Sequence, residues 1–289
     1  DETYIRKFDN GFDNNGQIAL KGSSDKDIVS KWLKQSYFIQ SPPKSTARDQ
    51  FGIVWLDKHF KDIDKLNFED QLATLSFFTA KSVFLGCKKF ISNHSVKKLI
   101  IHTGYCDIDD NLALNKKYLM QRDYLKRIGD YAAKKNQFIY VENIFPFSEK
   151  LHTALPSKLA DEIKMIDHEN IKACFDVSHA YLCCSAFKSD FISNAIDLGE
   201  NSDHWHVHDS FGKLNFINVH LTKSEALALG DGDLHLPVGE GDIPWEELVS
   251  KTKLKPNVVF NIELNPEFWQ DLEKCVTNTV KLIEFSKNI

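Results

Sequence analysis

The part of the sequence that determines the fold runs from FIYVEN (residues 138–143) to IKACFDVSH (residues 171–179). Both segments are almost continuously apolar before they end in polar residues, which is typical of strands buried on both faces. Between them, SKLADEIKMID (residues 157–167) repeats its apolar residues at helical spacing. A buried strand, a helix and a second buried strand predict one crossover unit of a parallel sheet.

The same alternation extends over the chain from residue 98 onward. Strands are predicted within LIIHTG (99–104), DHWHVHDS (203–210) and VVFNIEL (258–264), with helical patterns between them. The connection over residues 209–242 is long, which usually marks a functional loop.

The first hundred residues carry a weaker pattern. We predict strands at GQIALKG (16–22) and YFIQSPP (37–43), a short helix at 25–35 and a long helix at 67–90. The whole pattern gives seven strands, with an eighth missing, degenerate or lost from the N-terminus. We therefore predict an α/β fold, a (β/α)8 TIM barrel that forms a single domain over residues 1–289.

Composition narrows the classes of partner. The chain has 289 residues, a net charge of −5 and few arginines, which are Arg6, Arg48, Arg122 and Arg127. Because arginine is the preferred side chain for binding phosphate and guanine, this composition counts against a nucleic-acid partner. The six cysteines form no CxxC pair, which predicts free thiols in a reducing cytoplasm. No apolar run is long enough to span a membrane, and no signal peptide is visible.

Each predicted strand from residue 98 onward has a polar residue near its C-terminal end. These residues are His102, Glu142, Asp176, His206 and Glu263. In a (β/α)8 barrel the carboxyl ends of the strands meet at one face, where catalytic groups gather. Three carboxylates and two imidazoles cannot lie together in a dry pocket without compensation, and a divalent cation provides it. Taken singly, each of these residues could be a helix cap, a salt-bridge partner or a hydrogen-bonded core histidine.

Further histidines lie close to these strand ends in the sequence. His204, His206 and His208 alternate along one predicted strand and therefore point to the same side. His179 follows Asp176 by three residues, and the loop DLHLPVGEGDIPW (233–245) contains an Asp-x-His pair, Asp233 and His235. Such a glycine-rich loop is either part of the site or a solvated surface turn.

Several of these motifs resemble the xylose-isomerase-like TIM barrels. The motifs are VEN at 141–143, CFDVSHA at 174–180, HVHDS at 206–210, DLHLPVGEGDIPW at 233–245 and FNIEL at 260–264. That superfamily contains sugar isomerases and epimerases, inosose dehydratases and endonuclease IV. The resemblance covers residues 98–289 well and the first hundred residues poorly.

The resemblance implies a mononuclear metal site and a set of residues that contact substrate. The implied ligands of Mn²⁺, Mg²⁺, Co²⁺ or Zn²⁺ are Glu142, Asp176, His206 and Glu263. The resemblance also implies that Glu142 and Glu263 act as acid and base on a metal-stabilised enediolate. Candidate substrate contacts are His179, His102, His208 and Trp245, although Trp245 could equally pack beneath the loop. We therefore expect an isomerase or epimerase of a small sugar or sugar derivative, with a carbohydrate as its partner and homo-oligomerisation left open.

Three alternatives remain open from the sequence. The endonuclease IV pattern would add His102, His179, Asp233 and His235 to form a three-zinc cluster for phosphodiester cleavage. Against it, Gln40 and Ser41 stand where YFIQSPP would align with that family's histidine, and the chain is acidic. A metal-dependent lyase or dehydratase could use the same site. A metal-binding interaction protein without activity is the last alternative.

Overall fold

The fold is taken from a computed structural model that describes residues 13, 16–41, 51–91, 96–107, 111–216 and 223–287. The chain divides into two compact units, residues 1–96 and 97–289. The predicted single domain over residues 1–289 stays a prediction. Within the described ranges, no helix is both long and apolar enough to cross a membrane.

The described part of the first unit is helical. Its helices are α1 (Lys26–Trp32), α2 (Ser36–Ile39), α3 (Ile53–His59) and α4 (Phe68–Ile91). They bury an aromatic core, in which the rings of Trp32 and Phe78 meet edge to face with centroids 5.3 Å apart. The Asp25 carboxylate caps α1 by accepting the backbone N–H groups of residues 27 and 28.

The two strands that we predict in this unit are wrong for the residues described. Residues 16–22 contain a 3₁₀ turn, Ala19–Lys21, and the backbone N–H groups of residues 18 and 19 donate to the Asp13 carboxylate. Residues 36–39 form α2, where Tyr37 and Phe38 pack against Phe51. Short apolar runs do not distinguish helix from strand by pattern alone, and here aromatic packing decides the conformation. The predicted long helix is confirmed as α4.

The second unit is built on a parallel sheet that forms a half-barrel. The strands are β1 (Lys98–His102), β3 (Phe138–Glu142), β5 (Ile171–Asp176), β6 (Ser202–Val207) and β7 (Val259–Ile262), and they lie in that order. All four neighbouring pairs are parallel. A small antiparallel pair, β2 (Cys106–Asp107) with β4 (Leu151–His152), follows the ends of β1 and β3. The α/β prediction is confirmed, with five barrel strands in the described residues instead of the predicted seven or eight.

Helices connect and cover these strands. They are α5 (Asn111–Lys134), α6 (Pro156–Ile166), α7 (Val177–Ala186), α8 (Phe191–Asn201), α9 (Lys223–Leu229), α10 (Trp245–Lys251) and α11 (Leu272–Lys287). A 3₁₀ segment, Pro266–Asp271, precedes α11. One continuous core joins the helices to the sheet, and Phe175, Leu198 and Trp205 in it are fully buried. The segment after Asp176 is helical from Val177.

The burial of each strand follows its place in the sheet. The central strands β3 and β5 are buried along almost their whole length. The outer strands β1 and β7 alternate between more and less exposed residues, and within the described ranges each pairs with one neighbour. The near-continuous apolar sequences of β3 and β5 are therefore explained by coverage on both faces.

Candidate metal centre

The parallel register brings the strand-end residues to one edge of the half-barrel. His102 pairs with Glu142 across β1 and β3, and Asp176 pairs with His206 across β5 and β6. The backbone N–H of Glu263 donates to the carbonyl of residue 207, which continues the pairing of β6 and β7 by one residue. Residues far apart in the sequence thus end their strands at the same level.

Asp176 has two structural duties because β5 runs directly into α7. It is the N-cap of α7 and accepts the backbone N–H of His179 at 2.7 Å. This turn places the imidazole of His179, three residues along the helix, 3.7 Å from the other Asp176 oxygen. Asn143 fixes the start of the turn, since it donates to the Asp176 carbonyl at 2.8 Å and accepts the Asp176 N–H at 2.9 Å. Asn143 is a site residue that was not predicted from the sequence, although it stands in the VEN motif.

The first group of candidate ligands, which we call the carboxylate site, consists of Glu142, Asp176, His206 and Glu263. The Nδ1 atom of His206 lies 3.1 Å from Glu142 Oε1, 3.2 Å from Glu263 Oε1 and 3.8 Å from Asp176 Oδ2. Ligands about 2.0–2.2 Å from one ion lie roughly 3.0–3.6 Å from each other, so this spacing suits a shared cation. The donor atoms of Glu142, Asp176 and His206 lie within 4.8 Å of one another.

The two glutamates of the carboxylate site have opposite pKa shifts. Burial alone would raise the pKa of Glu142, but hydrogen bonds with His102, His179 and His206 outweigh burial and lower it. Burial raises the pKa of Glu263, and His206 offsets this effect only in part. Burial lowers the pKa of the His206 imidazole, but its contact with Glu142 reverses the shift and raises it.

The second group of candidate ligands, which we call the loop site, consists of His179, His208, Asp233 and His235. Their donor atoms all lie within 4.8 Å of one another. Asp233 Oδ2 is 3.2 Å from His179 Nε2 and 2.9 Å from His235 Nε2. His208 stacks flat against His235 at a ring distance of 3.8 Å, and its Nε2 lies 3.0 Å from Asp176 Oδ2. Asp176 therefore adjoins both sites.

Within the described part of the chain, two buried polar atoms of the loop site lack a hydrogen-bond partner. They are His208 Nδ1 and Asp233 Oδ1, which lie 3.7 Å apart. Buried polar groups without a partner are rare and commonly mark a missing ion or water. His235 also has a left-handed backbone with φ of 51°, held by its Nδ1 contact to the Glu263 carbonyl at 2.8 Å. Strain of this kind is concentrated at functional sites.

The loop that carries Asp233 and His235 is held by hydrogen bonds to Asp209. Like Asn143, Asp209 was given no role by the sequence pattern. The buried Asp209 carboxylate accepts the N–H of Gly239 and the indole N–H of Trp245, both at 2.8 Å. A side chain at Gly241 would place its Cβ 2.3 Å from Asp209 Oδ1, so only glycine fits there. The close approach of the loop to Asp209 thus explains the glycines of the Gly-Glu-Gly sequence at residues 239–241.

The residues present fit a divalent cation. In the described part of the chain, the ion-pair partners of Glu142, Asp176, Asp233 and Glu263 are all histidines. Since histidine is charged only when protonated, these buried carboxylates lack a permanent positive partner, and a cation would supply one. Carboxylate oxygens with imidazole nitrogens suit zinc, manganese or cobalt.

The candidate substrate contacts occupy different positions. The side chain of His102 is 53% exposed, and its Nε2 lies 3.5 Å from Glu142 Oε2. His179 and His208 are buried among the carboxylates, and Trp245 is buried beneath the loop. Contact of these four residues with substrate stays a prediction.

Comparison with known proteins gives a different result for each unit. A family model described as "Xylose isomerase-like TIM barrel" matches residues 91–271. A model described as "Anhydro-N-acetylmuramic acid kinase" matches residues 1–114. A kinase of that name from Rippkaea orientalis is 40% identical over 92 residues, which is 30% of this chain and 24% of the kinase. The chain spans about a quarter of the length of the curated relatives that it matches.

Solved structures include distant likenesses. A D-tagatose 3-epimerase-like protein aligns with a TM-score of 0.49 at 18% identity, covering 82% of this chain and 84% of that protein. The IOLI protein with a bound zinc atom aligns with a TM-score of 0.46 at 12% identity, covering 94% of this chain and 93% of that protein. At such TM-scores neither likeness adds to the family match.

Proposed function

The chain belongs to the xylose isomerase-like TIM barrel family, and on this premise we propose that its second unit is a divalent-metal-dependent isomerase or epimerase of a small sugar or sugar derivative. One observation carries the proposal. The carboxylates of Glu142 and Glu263 lie 3.1 and 3.2 Å from the same nitrogen of His206, with Asp176 beside them. Two carboxylates that could transfer a proton thus lie next to a position where a cation could bind.

The carboxylate site would hold the cation through Glu142, Asp176, His206 and Glu263. When bound, a divalent cation would polarise a substrate carbonyl and stabilise the negative charge of an enediolate. Asn143 fixes the backbone of Asp176, and the His179 N–H at the N-terminus of α7 donates to the Asp176 carboxylate. This rigid support keeps the ligand geometry fixed while substrate binds.

The two glutamates would move the proton. Glu263, with a side chain 30% exposed, would remove the proton from the carbon next to the carbonyl as general base. Glu142 would take up a solvent proton through the exposed imidazole of His102, 3.5 Å away, and deliver it on the opposite face, which inverts the carbon, or at the neighbouring carbon, which isomerises the sugar. Glu263 would release its proton to solvent, so that both carboxylates return to their starting state. His102, exposed beside Glu142, would donate a hydrogen bond to a substrate hydroxyl.

Solvent deuterium exchange tests this function. The full chain is incubated with a panel of ketoses and aldoses in D₂O. Separate samples carry Mn²⁺, Co²⁺ or Mg²⁺, and the Mg²⁺ sample is used for NMR. We expect deuterium at one carbon of a substrate and an epimeric or isomeric product. The Glu263→Gln variant serves as the control and should give neither. A product that has lost water would instead identify a dehydratase, and no exchange over the panel would refute the proposal.

The loop site favours a second candidate, a metal-dependent phosphodiesterase. A mononuclear isomerase needs neither Asp233 nor His235, yet Asp233 and its neighbour His208 hold buried, unpartnered polar atoms next to the carboxylate site. Adjacent metal ions stabilise the attacking and leaving oxygens in phosphodiester cleavage. The zinc content per chain and cleavage of abasic duplex DNA test this candidate. A single bound metal and intact DNA would rule it out.

The match of the first unit to a sugar kinase supports no proposed reaction for that unit. The matched segment is about a quarter of the kinase length. We propose only that the substrate taken by the second unit belongs to the carbohydrate class, in keeping with the family.

A further inference from the structure

A third group of potential ligands lies one residue layer deeper in the half-barrel. Cys174, His204 and His206 offer donor atoms that all lie within 4.8 Å of one another, and we call this group the cysteine site. Cys174 precedes Asp176 by two residues on β5, and His204 precedes His206 by two residues on β6. Alternate residues of a strand face the same side, so the cysteine site lies directly below the carboxylate site.

Two imidazole nitrogens at the cysteine site are buried and have no hydrogen-bond partner among the residues that the structure describes. They are His204 Nδ1 and His206 Nε2. His206 is 4% exposed, and its other nitrogen, Nδ1, is already engaged by Glu142 at 3.1 Å. Buried histidines normally use both nitrogens, so two orphaned atoms beside one thiol require an explanation. The packing of an ordinary core would place carbon atoms at these positions instead.

We propose that Cys174, His204 and His206 form a second metal site, selective for zinc or another thiolate-preferring divalent ion. The ligand atoms are the Cys174 thiolate sulfur and the two free imidazole nitrogens. A thiolate and two imidazoles are donor types that zinc accepts, whereas the carboxylate site has no sulfur and suits harder ions. The fourth position is left for water, as in open zinc sites. On binding, the Cys174 S–H proton leaves to solvent as the sulfur–metal bond forms.

His206 then serves both sites through different atoms. Its Nδ1 lies near Glu142, Glu263 and Asp176, which leaves Nε2, unpartnered among the described residues, for the deeper ion. With only the deeper ion bound, Nδ1–H would donate to Glu142, an arrangement that fixes the ring. With both ions bound, His206 would bridge them as an imidazolate, and its remaining N–H proton would leave to solvent. This inference goes beyond the proposed function, because it concerns a different ion and a residue, Cys174, that the proposed reaction does not use.

Cobalt spectroscopy of the metal-free full chain tests the cysteine site. Co²⁺ bound to a thiolate gives a near-ultraviolet charge-transfer band that Co²⁺ bound only to oxygen and nitrogen does not give. We expect this band to rise to one equivalent per chain and to disappear when Zn²⁺ is added. The Cys174→Ser variant should lose the band. Cys184→Ser, which removes another buried free thiol in the same unit, should keep it.

Two further variants keep the test decisive. His204→Asn retains the sulfur and should weaken Co²⁺ binding at least about tenfold, since even outer partners of a ligand contribute that much. Glu263→Gln disrupts the carboxylate site and should keep the band, so failure of the proposed function is distinguishable from failure of this site. The cysteine site is refuted if the wild-type chain shows no band, if His204→Asn leaves the affinity unchanged, or if Cys184→Ser loses the band as Cys174→Ser does.

Discussion

Glu142 and Glu263 contact the same imidazole, yet their surroundings differ. The Glu142 side chain is 5% exposed and faces three histidines, whereas the Glu263 side chain is 30% exposed and faces His206. The histidines lower the pKa of Glu142, and burial raises that of Glu263. A raised pKa makes Glu263 the stronger base of the two carboxylates, and its greater exposure gives it access to a substrate. Glu263 is thus the residue on which turnover should depend most directly.

We predict that Glu263→Gln abolishes turnover and leaves the fold intact. The amide keeps the shape of the side chain but cannot accept a proton, and general base catalysis typically contributes about 10²–10⁴-fold in rate. Loss of one charged ligand should also weaken metal binding. Activity assays and metal titration measure the two effects, and circular dichroism checks the fold. Unchanged activity would remove Glu263 from the proposed mechanism.

Metal affinity of the loop site should rise with pH. Burial lowers the pKa of His235, but its contact with Asp233 reverses this and raises the pKa to about 9. A raised histidine pKa means that this pairing stabilises the metal-free fold fully below about pH 6.5 and loses that contribution as pH rises through about 9. Because a metal must displace the proton, His235 should contribute an increase in apparent affinity of up to about tenfold per pH unit below about pH 9 and none above it.

Zinc competition with a chelator between about pH 6 and pH 10 measures this dependence. The matched variant His235→Gln has no proton to displace at that position and should show a shallower slope. A slope equal to that of the wild-type chain would contradict the assigned role of His235.

The strand-end residues could be predicted from sequence, whereas their neighbours could not. Apolar strands that end in Glu142, Asp176 and His206 give a signal because a parallel sheet aligns its ends. Asp209 and Cys174 give no such signal, since a buried aspartate that organises a loop and a buried thiol look like ordinary core residues in sequence. Their significance depends on which atoms lack a partner or approach a glycine, and only coordinates supply that information.

At the scale of elements, α5 and α6 are joined by a buried ion pair. Arg122 on α5 donates through Nε and Nη2 to the two carboxylate oxygens of Glu162 on α6, at 2.5 and 3.0 Å. The Glu162 side chain is fully buried, and Lys158 adds a second contact at 2.8 Å. Removing one partner of a buried pair is costly because the remaining charge stays desolvated.

We predict that Arg122→Met lowers the free energy of unfolding by about 1.5–3 kcal/mol, because its charge-assisted hydrogen bonds are lost while Lys158 still pairs with Glu162. Arg127→Met is the matched control on the same helix, since Arg127 pairs with Asp123 at 4.0 Å with both side chains about 70% exposed. An exposed pair of this kind contributes only about 0–1 kcal/mol. Denaturant unfolding of both variants measures the difference. Equal effects of the two substitutions would show that burial of Glu162 does not matter.

The sequence pattern predicted the barrel strands of the second unit correctly, most clearly where burial is two-sided, and wrongly predicted two strands in the first unit. β3 and β5 are covered on both faces, so their apolar runs are long and unambiguous. The segments at 16–22 and 37–43 have only short apolar runs, and side-chain capping by Asp13 and packing on Phe51 make their described residues helical. Tertiary contacts therefore override a weak local pattern in the first unit.

For the whole molecule, the two compact units differ in both architecture and relatives. The described part of the first unit is helical and matches a kinase segment, whereas the second is a half-barrel that carries all three candidate metal sites. Ligand binding stabilises only the unit that contains the ligands, provided that the units unfold independently. The metal can therefore report whether the chain behaves as two domains or as the single domain expected from its sequence.

We predict two transitions in calorimetric unfolding of the full chain, of which zinc moves only one. At a free metal concentration about 100 times the dissociation constant, binding stabilises the second unit by about 2.7 kcal/mol. For a unit of this size that corresponds to an increase of roughly 5–10 °C in its transition temperature. The variant Asp176→Asn removes a ligand that adjoins two of the sites and should shift less than the wild-type chain, with the remaining shift coming from the cysteine site, which does not contain Asp176. The transition of the first unit should stay unchanged in both chains. One transition that moves as a whole would instead mean that the kinase-like segment and the half-barrel unfold as a single cooperative domain.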